Sequence, residues 1–259
     1  MEFYTRRFDK NYFDLYPIGD VHFGSAQCDI EFFKRVVEEI GGNPDAYWVG
    51  MGDFLENAIV GSKSDVYTQT MPPREQINYI CDVLAPIKDK GLFLIAGNHE
   101  QRTMRVVGLC PEEHMASRLN IPFMGFSCYA YFITQSTHSP HGFSAYFHHS
   151  TGGGYTPGGK VNAATRLRQI APTADATFSA HSHTTSRMPV TWFDIGRGRV
   201  LKHTGYDYIT GSCLLWNKSY AEEKVKAASS VEFIRVRFIG SNSGREDNRT
   251  QIYGVITKC

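Results

Sequence analysis

Asp20-Val21-His22, Gly52-Asp53, Gly97-Asn98-His99-Glu100, His148-His149 and His181-Ser182-His183 recur in that order along the chain. Carboxylates, imidazoles and a carboxamide are side chains that bind transition metals. Taken singly, an Asp-x-His reads as a turn or cap, a Gly-Asp pair as a strand exit, and a His-x-His as two residues on one strand face. Five such segments in series point to a metal site. A pair of metal ions needs hard oxygen ligands, neutral imidazoles and one carboxylate able to bridge both, and the set contains all three.

Strands must carry these segments, because each follows a short apolar run. Asp14 to Gly19 is extended and delivers Asp20. Ile30, Phe33, Val36, Val37 and Ile40 have helical spacing, stopped by Gly41-Gly42-Asn43-Pro44. Ala46 to Gly52 is the strand before Asp53. Glu75 to Ile87 is helical, and Gly91 to Gly97 is a buried-type strand before Asn98. The alternation predicts an α/β domain. Further on, Phe123 to Thr134 and His141 to Phe147 read as two β segments, a hairpin ending at the paired histidines. Asn162 to Ile170 reads as a helix and Ala174 to Ala180 as the strand before His181. Val200 to His203, Ser212 to Trp216, Phe233 to Phe238 and Gln251 to Ile256 are β-like. Without linker, repeat or low-complexity tract, residues 1–259 read as one domain. In α/β sheets ligands sit outside the carboxyl ends of strands, so all five segments would share one cleft.

Composition sets the class. With 259 residues, 42% hydrophobic and 20% charged, the chain can bury a substantial core. A formal net charge of +1 gives no bulk attraction to nucleic acid or an anionic membrane, though a local basic face is compatible with it. The N-terminal residues lack the apolar stretch of a signal peptide, and no run approaches the about 18 apolar residues of a membrane span. Cys28, Cys81, Cys110, Cys128, Cys213 and Cys259 show no C-x-x-C pair, so reduced thiols in a cytoplasmic setting are expected. His114, His138, His141 and His203 lack ligand context and read as surface or structural residues. Tyr129 to Phe132 reads as core strand. Gly152 to Gly159 is a glycine-rich loop that either cradles phosphate, with Lys160 adding charge, or is a plain turn; it lacks the form of a nucleotide-triphosphate loop.

The order D-x-H, G-D, G-N-H-(D/E), H and H-x-H, spanning Asp20 to His183, resembles the calcineurin-like metallophosphoesterases, a superfamily of binuclear-metal phosphatases, phosphodiesterases and nucleases. The likeness is greatest to phage and prophage members. It implies a four-layer α/β/β/α sandwich of two mixed sheets flanked by helices. It further implies that Asp20, His22, Asp53 and His183 hold one divalent cation, and that Asp53 bridges to a second held by Asn98, His181 and one of the paired histidines. In the phage-type pattern a His-Gly-x-Gly-Gly-Gly stretch precedes Gly-x-Lys-x-Asn; placing Gly152-Gly153-Gly154 and Lys160-Val161-Asn162 on it favours His149 over His148, with Ser150 in place of Gly. His99 matches the family's non-ligand catalytic histidine. Asn98, and Arg102 three residues beyond His99, are placed to touch a phosphate; Arg102 reads equally as an ion-pair partner of Glu100. Ala180 replaces the family's usual Gly, and Glu100 its commoner Asp. The implied reaction is attack on phosphorus by a water activated between two metals. A phosphodiesterase or nuclease is the first reading, a phosphomonoesterase the second and a non-catalytic scaffold a remote third. The ligand set suits manganese foremost, with iron, zinc and nickel left open. The substrate is then a phosphoester, nucleic acid included, met in the cytoplasm (the host's, if the gene is viral), with oligomeric state unassigned.

Overall fold

A computed structural model describes residues 1–62, 64, 66–135, 140–152, 154–196, 198–217, 219–240 and 250–258. His138, Gly153 and Cys259 lie outside the described residues. The chain opens with two strands, β1 (Glu2–Phe8) and β2 (Tyr12–Ile18), followed by helix α1 (Ile30–Gly42). Asp29 starts α1, its carboxylate accepting from Phe32 N at 3.0 Å. Phe33, Val36, Val37 and Ile40 are buried on one face, as their spacing predicts. Strand β3 (Ala46–Gly50), helix α2 (Pro73–Leu84) and strand β4 (Gly91–Leu94) complete a parallel unit in which β3 lies between β2 and β4. The helix expected over 75–87 stops at Leu84 and tightens into a 3₁₀ turn, Ala85–Lys90. Pro86 has no N–H with which to continue an α ladder.

Helices α3 (Glu100–Val107) and α4 (Pro111–Leu119) follow β4. Strands β5 (Ser127–Thr134) and β6 (His141–His148) then pair antiparallel, as expected of the two β segments. Helix α5 (Pro157–Thr165) begins inside the glycine-rich stretch, with Thr156 Oγ1 accepting from Gly159 N, so Pro157 to Lys160 is a first helical turn rather than loop. The single helix expected over 162–170 is divided into α5 and the short α6 (Leu167–Ile170). Strand β7 (Ala176–Ser179) precedes a long antiparallel ribbon, β8 (Thr185–Gly196) with β9 (Arg199–Ser212). The run expected at 200–203 is the start of β9; of that expected at 212–216 only Ser212 belongs to β9, and beyond it Leu214 forms an isolated bridge with Cys28. A helical turn, α7 (Tyr220–Glu223), and strands β10 (Glu232–Ile239) and β11 (Thr250–Thr257) close the fold.

The strands form two mixed sheets, β1-β5-β6-β7-β9-β8 and β4-β3-β2-β10-β11. They join where β10 pairs with the last residues of β9, Gly211 and Ser212, before continuing against β2. Phe13, Leu15, Val49, Met51 and Phe93 of one sheet face Phe132, Phe143, Phe147, Phe178 and Tyr208 of the other. Phe147 stacks on Phe178 with centroids 4.7 Å apart, and Phe13 on Phe238 at 5.0 Å. Each such ring taken out of water contributes about 1.5–3 kcal/mol. Outside this core, Tyr16, Ile18 and Trp48 pack against α1, α2 and α4, and Tyr146 packs against Leu167 of α6. The layers are therefore helix, sheet, sheet, helix, the sandwich expected. Among the described residues no helix is long and apolar enough to cross a membrane. Cys28, Cys81, Cys110, Cys128 and Cys213 are free thiols.

Candidate metal centre

Parallel strands β2, β3 and β4 end at one edge of the sandwich, and β6 and β7, parallel in the facing sheet, end at the same edge. The loops that leave them are tied together by backbone hydrogen bonds. Asp20 N donates to Gly52 O (3.0 Å), His22 N to Asp53 O (3.0 Å) and Ala180 N to His149 O (3.1 Å). Asp53 Oδ1 accepts from His99 N (2.8 Å), and Asp20 Oδ2 accepts from His181 N (2.6 Å). Asp20, His22, Asp53, His181 and His183 all have left-handed backbones, with φ between 50° and 69°. For residues with a Cβ this conformation costs of order 1–3 kcal/mol each, and it turns five side chains sharply into one cleft. Glycine is required at two places: a Cβ on Gly52 would stand 2.3 Å from Gly97 N, and one on Gly97 2.1 Å from Asp53 Oδ1.

Two groups of donor atoms result. In the first, His22 Nε2 lies 3.2 Å from His183 Nε2, and both lie near Asp20 Oδ1, at 3.6 and 3.5 Å. In the second, His149 Nε2 is 3.2 Å from Asp53 Oδ2 and 3.1 Å from Asn98 Oδ1. The same end of the Asn98 amide faces His181 Nδ1 at 2.6 Å. Asp53 Oδ2 stands between the groups, 3.8 Å from His22 Nε2. Asp20-His22-His183 and Asp53-His149-His181 are thus each compact enough to share one cation, and His22-Asp53-His99 forms a third such cluster. Of the two adjacent histidines the structure brings in His149, which is buried. His148 turns away, its Nδ1 accepting from Ser150 N at 2.6 Å.

The donor set fits a divalent metal. Asp20 Oδ1 is fully buried with no hydrogen-bond partner. The end of the Asn98 amide that faces the cleft meets Asp53 Oδ2, His149 Nε2 and His181 Nδ1; its NH₂ satisfies them when turned inward, and its oxygen offers a ligand when turned the other way. His149 Nδ1 donates to Met51 O (2.7 Å) and His99 Nδ1 to Glu56 O (2.8 Å), which leaves each Nε2 lone pair facing the cleft. Burial opposes charge throughout, yet His183, His22 and His149 hold Asp20 well below the usual carboxylate range. Conversely, Asp20 and Glu56 raise His22 to about 10 despite its burial, and Asp53 raises His149 to about 9. Burial pushes His99 and His181 down to about 4. The site is an excess of buried negative charge that takes up positive charge wherever it can.

Residues outside the five segments complete it. Glu56, three after Asp53, puts Oε2 3.5 Å from His22 Nδ1 and 3.9 Å from His99 Nδ1; its carboxyl is lowered to about 2, His22 overcoming burial. Asn57, fully buried at φ 46°, donates from Nδ2 to His99 O (2.8 Å), and its own N–H is bound by Gln76 Oε1 (3.0 Å). Only the i, i+3 spacing of Asp53 and Glu56 hinted at this in the sequence. Arg102 Nη1 donates to Glu56 O (3.2 Å) and Ser64 Oγ (2.9 Å). An ion pair with Glu100 is not formed: Glu100 is fully buried, its carboxyl accepting from Asp53 N and Leu55 N. Lys160 does not reach the cleft either, since its ammonium binds Ser229 Oγ (2.7 Å) and Ala227 O (3.2 Å).

Residues 16–185 match the family model of the calcineurin-like phosphoesterases. The chain belongs to that family. Its members hydrolyse phosphoesters with divalent metals, the chemistry to which this donor set is suited. Among solved structures, the Vps29 protein of Entamoeba histolytica complexed with zinc is 10% identical, with 94% of this chain and 98% of that one covered and a TM-score of 0.41. A conserved protein of Streptococcus pneumoniae described as a predicted phosphoesterase is 11% identical, over 94% and 98%, with a TM-score of 0.35. No curated protein matches.

Proposed function

We propose that this calcineurin-like phosphoesterase is a binuclear phosphodiesterase, a nuclease included. Asp20, His22, Asp53 and His183 would hold one cation, and Asn98, His149, His181 and the shared Asp53 the other, with manganese the first choice. Bound there, the metals supply a water acidic enough to attack phosphorus at neutral pH and positive charge against the phosphoryl oxygens. The chain's own residues supply orientation and a proton. His149 and His99 are fixed by Met51 O and Glu56 O, so their rings cannot turn out of the cleft. His99 Nε2 faces the cleft and gives a proton to the departing alkoxide. The anionic substrate favours its imidazolium form, which burial otherwise opposes. Arg102, held by Glu56 O and Ser64, turns a guanidinium toward the phosphate.

The observation that favours a diester is this cation inventory. Among the described residues, the Lys or Arg side chain that hydrogen bonds to this shell is Arg102. A diester brings one negative charge and a monoester dianion brings two, so one guanidinium matches the diester. The test is manganese-dependent hydrolysis of bis-p-nitrophenyl phosphate against p-nitrophenyl phosphate, followed by single- and double-stranded DNA. The diester should show the higher kcat/KM. Preference for the monoester would assign a phosphatase instead, and failure on every ester would leave a metal-binding scaffold.

A further inference from the structure

Directly beneath the metal centre two glutamates are buried together. Glu100 opens α3, Glu112 lies in the first turn of α4, and neither exposes any surface. Glu100 Oε2 accepts from Asp53 N at 3.1 Å and Oε1 from Leu55 N at 3.0 Å. Glu112 Oε1 accepts from Gly97 N at 3.1 Å, and Cys110 Sγ donates to Oε2 at 3.6 Å. The two carboxyl groups lie side by side. Among the described residues neither forms an ion pair with Lys or Arg. Burial and mutual repulsion raise Glu100 well above the usual range, and burial does the same for Glu112.

The backbone groups that this pair binds matter more than the pair itself. Asp53 N and Gly97 N belong to two strand-exit loops packed so closely that neither Gly52 nor Gly97 tolerates a Cβ. One loop carries the shared carboxylate Asp53; the other carries Asn98 and His99. The pair spans them from below, Glu112 bound to Gly97 N and Glu100, packed beside it, bound to Asp53 N. We infer that Glu112 is a positioning residue of the metal centre, fixing the Asn98–His99 loop against Asp53 and so setting the geometry of the cation site that Asn98 shares with His149 and His181. The inference rests on the two-cation reading given above. A glutamine at position 112 keeps the one backbone hydrogen bond, its oxygen accepting from Gly97 N, at the cost of the long thiol contact from Cys110. Glutamine at position 100 would lose one of its two, because both oxygens there accept backbone N–H groups.

Calorimetric titration of the metal-free protein with Mn²⁺ tests this without reference to turnover. Wild type should bind two ions. Glu112→Ala should bind one as wild type does and the other about 10-fold or more weakly, the usual scale for losing a group that orients a ligand loop. Glu112→Gln should match wild type at both sites. If Glu112→Ala does not fold, Glu112→Asp takes its place, since the shorter side chain withdraws the carboxyl from Gly97; the same weakening is expected. Unchanged affinity in the alanine or aspartate variant overturns the inference, as does Glu112→Gln losing the second ion. A wild type that binds two ions but hydrolyses no ester removes the proposed function and leaves this inference standing. One that binds fewer than two removes both.

Discussion

The core between the sheets and the edge where their strands end use the same chain in opposite ways. Between the sheets, Phe13, Phe132, Phe147, Phe178 and Phe238 are buried in regular strands with their backbone groups paired in ladders. Every term there favours folding. At the edge, five residues adopt left-handed backbones, and Asp20 and Asp53 are buried beside five imidazoles. The backbone strain and the burial of the carboxylates oppose folding, and the imidazoles beside them offset part of that cost. The edge persists because the core below over-determines the strands that end there, and strain of this kind collects where a site is organised in advance.

The sharpest way to break that contrast is Asp53→Asn. It removes the carboxylate proposed above to serve both cations, and turnover should fall by about 10⁴-fold or more, over 5 kcal/mol in barrier. Elemental analysis should show lost metal; retention of both ions would end the bridging assignment. His99→Ala should cost about 10²–10⁴-fold in kcat, the range for a general acid, with metal content unchanged. A variant with full kcat would take His99 out of the chemistry. Phe147→Ala, in the core, should cost about 3–5 kcal/mol of stability by urea unfolding. Turnover per folded molecule should stay near wild type, because the Phe147 ring packs on Phe93, Phe132 and Phe178 rather than on a donor side chain. If Phe147→Ala lowered turnover as much as stability, core and edge would not be separable.

That division also explains what the sequence makes legible. Strands β2, β3 and β7 and helix α1 are readable because their apolar residues are continuous or follow a helical period. β1 is not, being a polar edge strand carrying Arg6 and Arg7. Nor is β8, where Arg187, Pro189 and Thr191 alternate along a ribbon paired through β9 alone among the described strands. Helix α3 leaves Met104, Val106 and Val107 exposed and buries Glu100, the reverse of an amphipathic stripe. At the site, the donor side chains stand out by type and order. Glu56, Asn57, Gln76 and Glu112 do not, because each acts by binding backbone groups or ring nitrogens that no spacing rule announces.

Smaller effects refine the boundary. Arg102→Ala should raise KM about 10-fold, near 1.4 kcal/mol, and change kcat less, since its guanidinium is anchored on Glu56 O and Ser64 rather than on the donor groups. A kcat loss with constant KM would place Arg102 in the chemical step instead.

The pair under the edge gives the smallest effect and the most specific one. Glu100 and Glu112 have carboxyl groups raised well above their ordinary value, so between that value and the raised one the folded protein holds a proton that the unfolded chain has released. The folded state binds more protons there, and stability must fall as pH rises from about 4.5 through the raised range. Below about 4.5 both states are protonated and the contribution is constant. Glu112→Gln removes one of the two raised carboxyls, so the melting temperature should decline less with pH than in wild type, with the two curves converging in acid. Parallel curves would mean that Glu112 is already ionised when folded, and that its negative charge lies uncompensated beneath the edge.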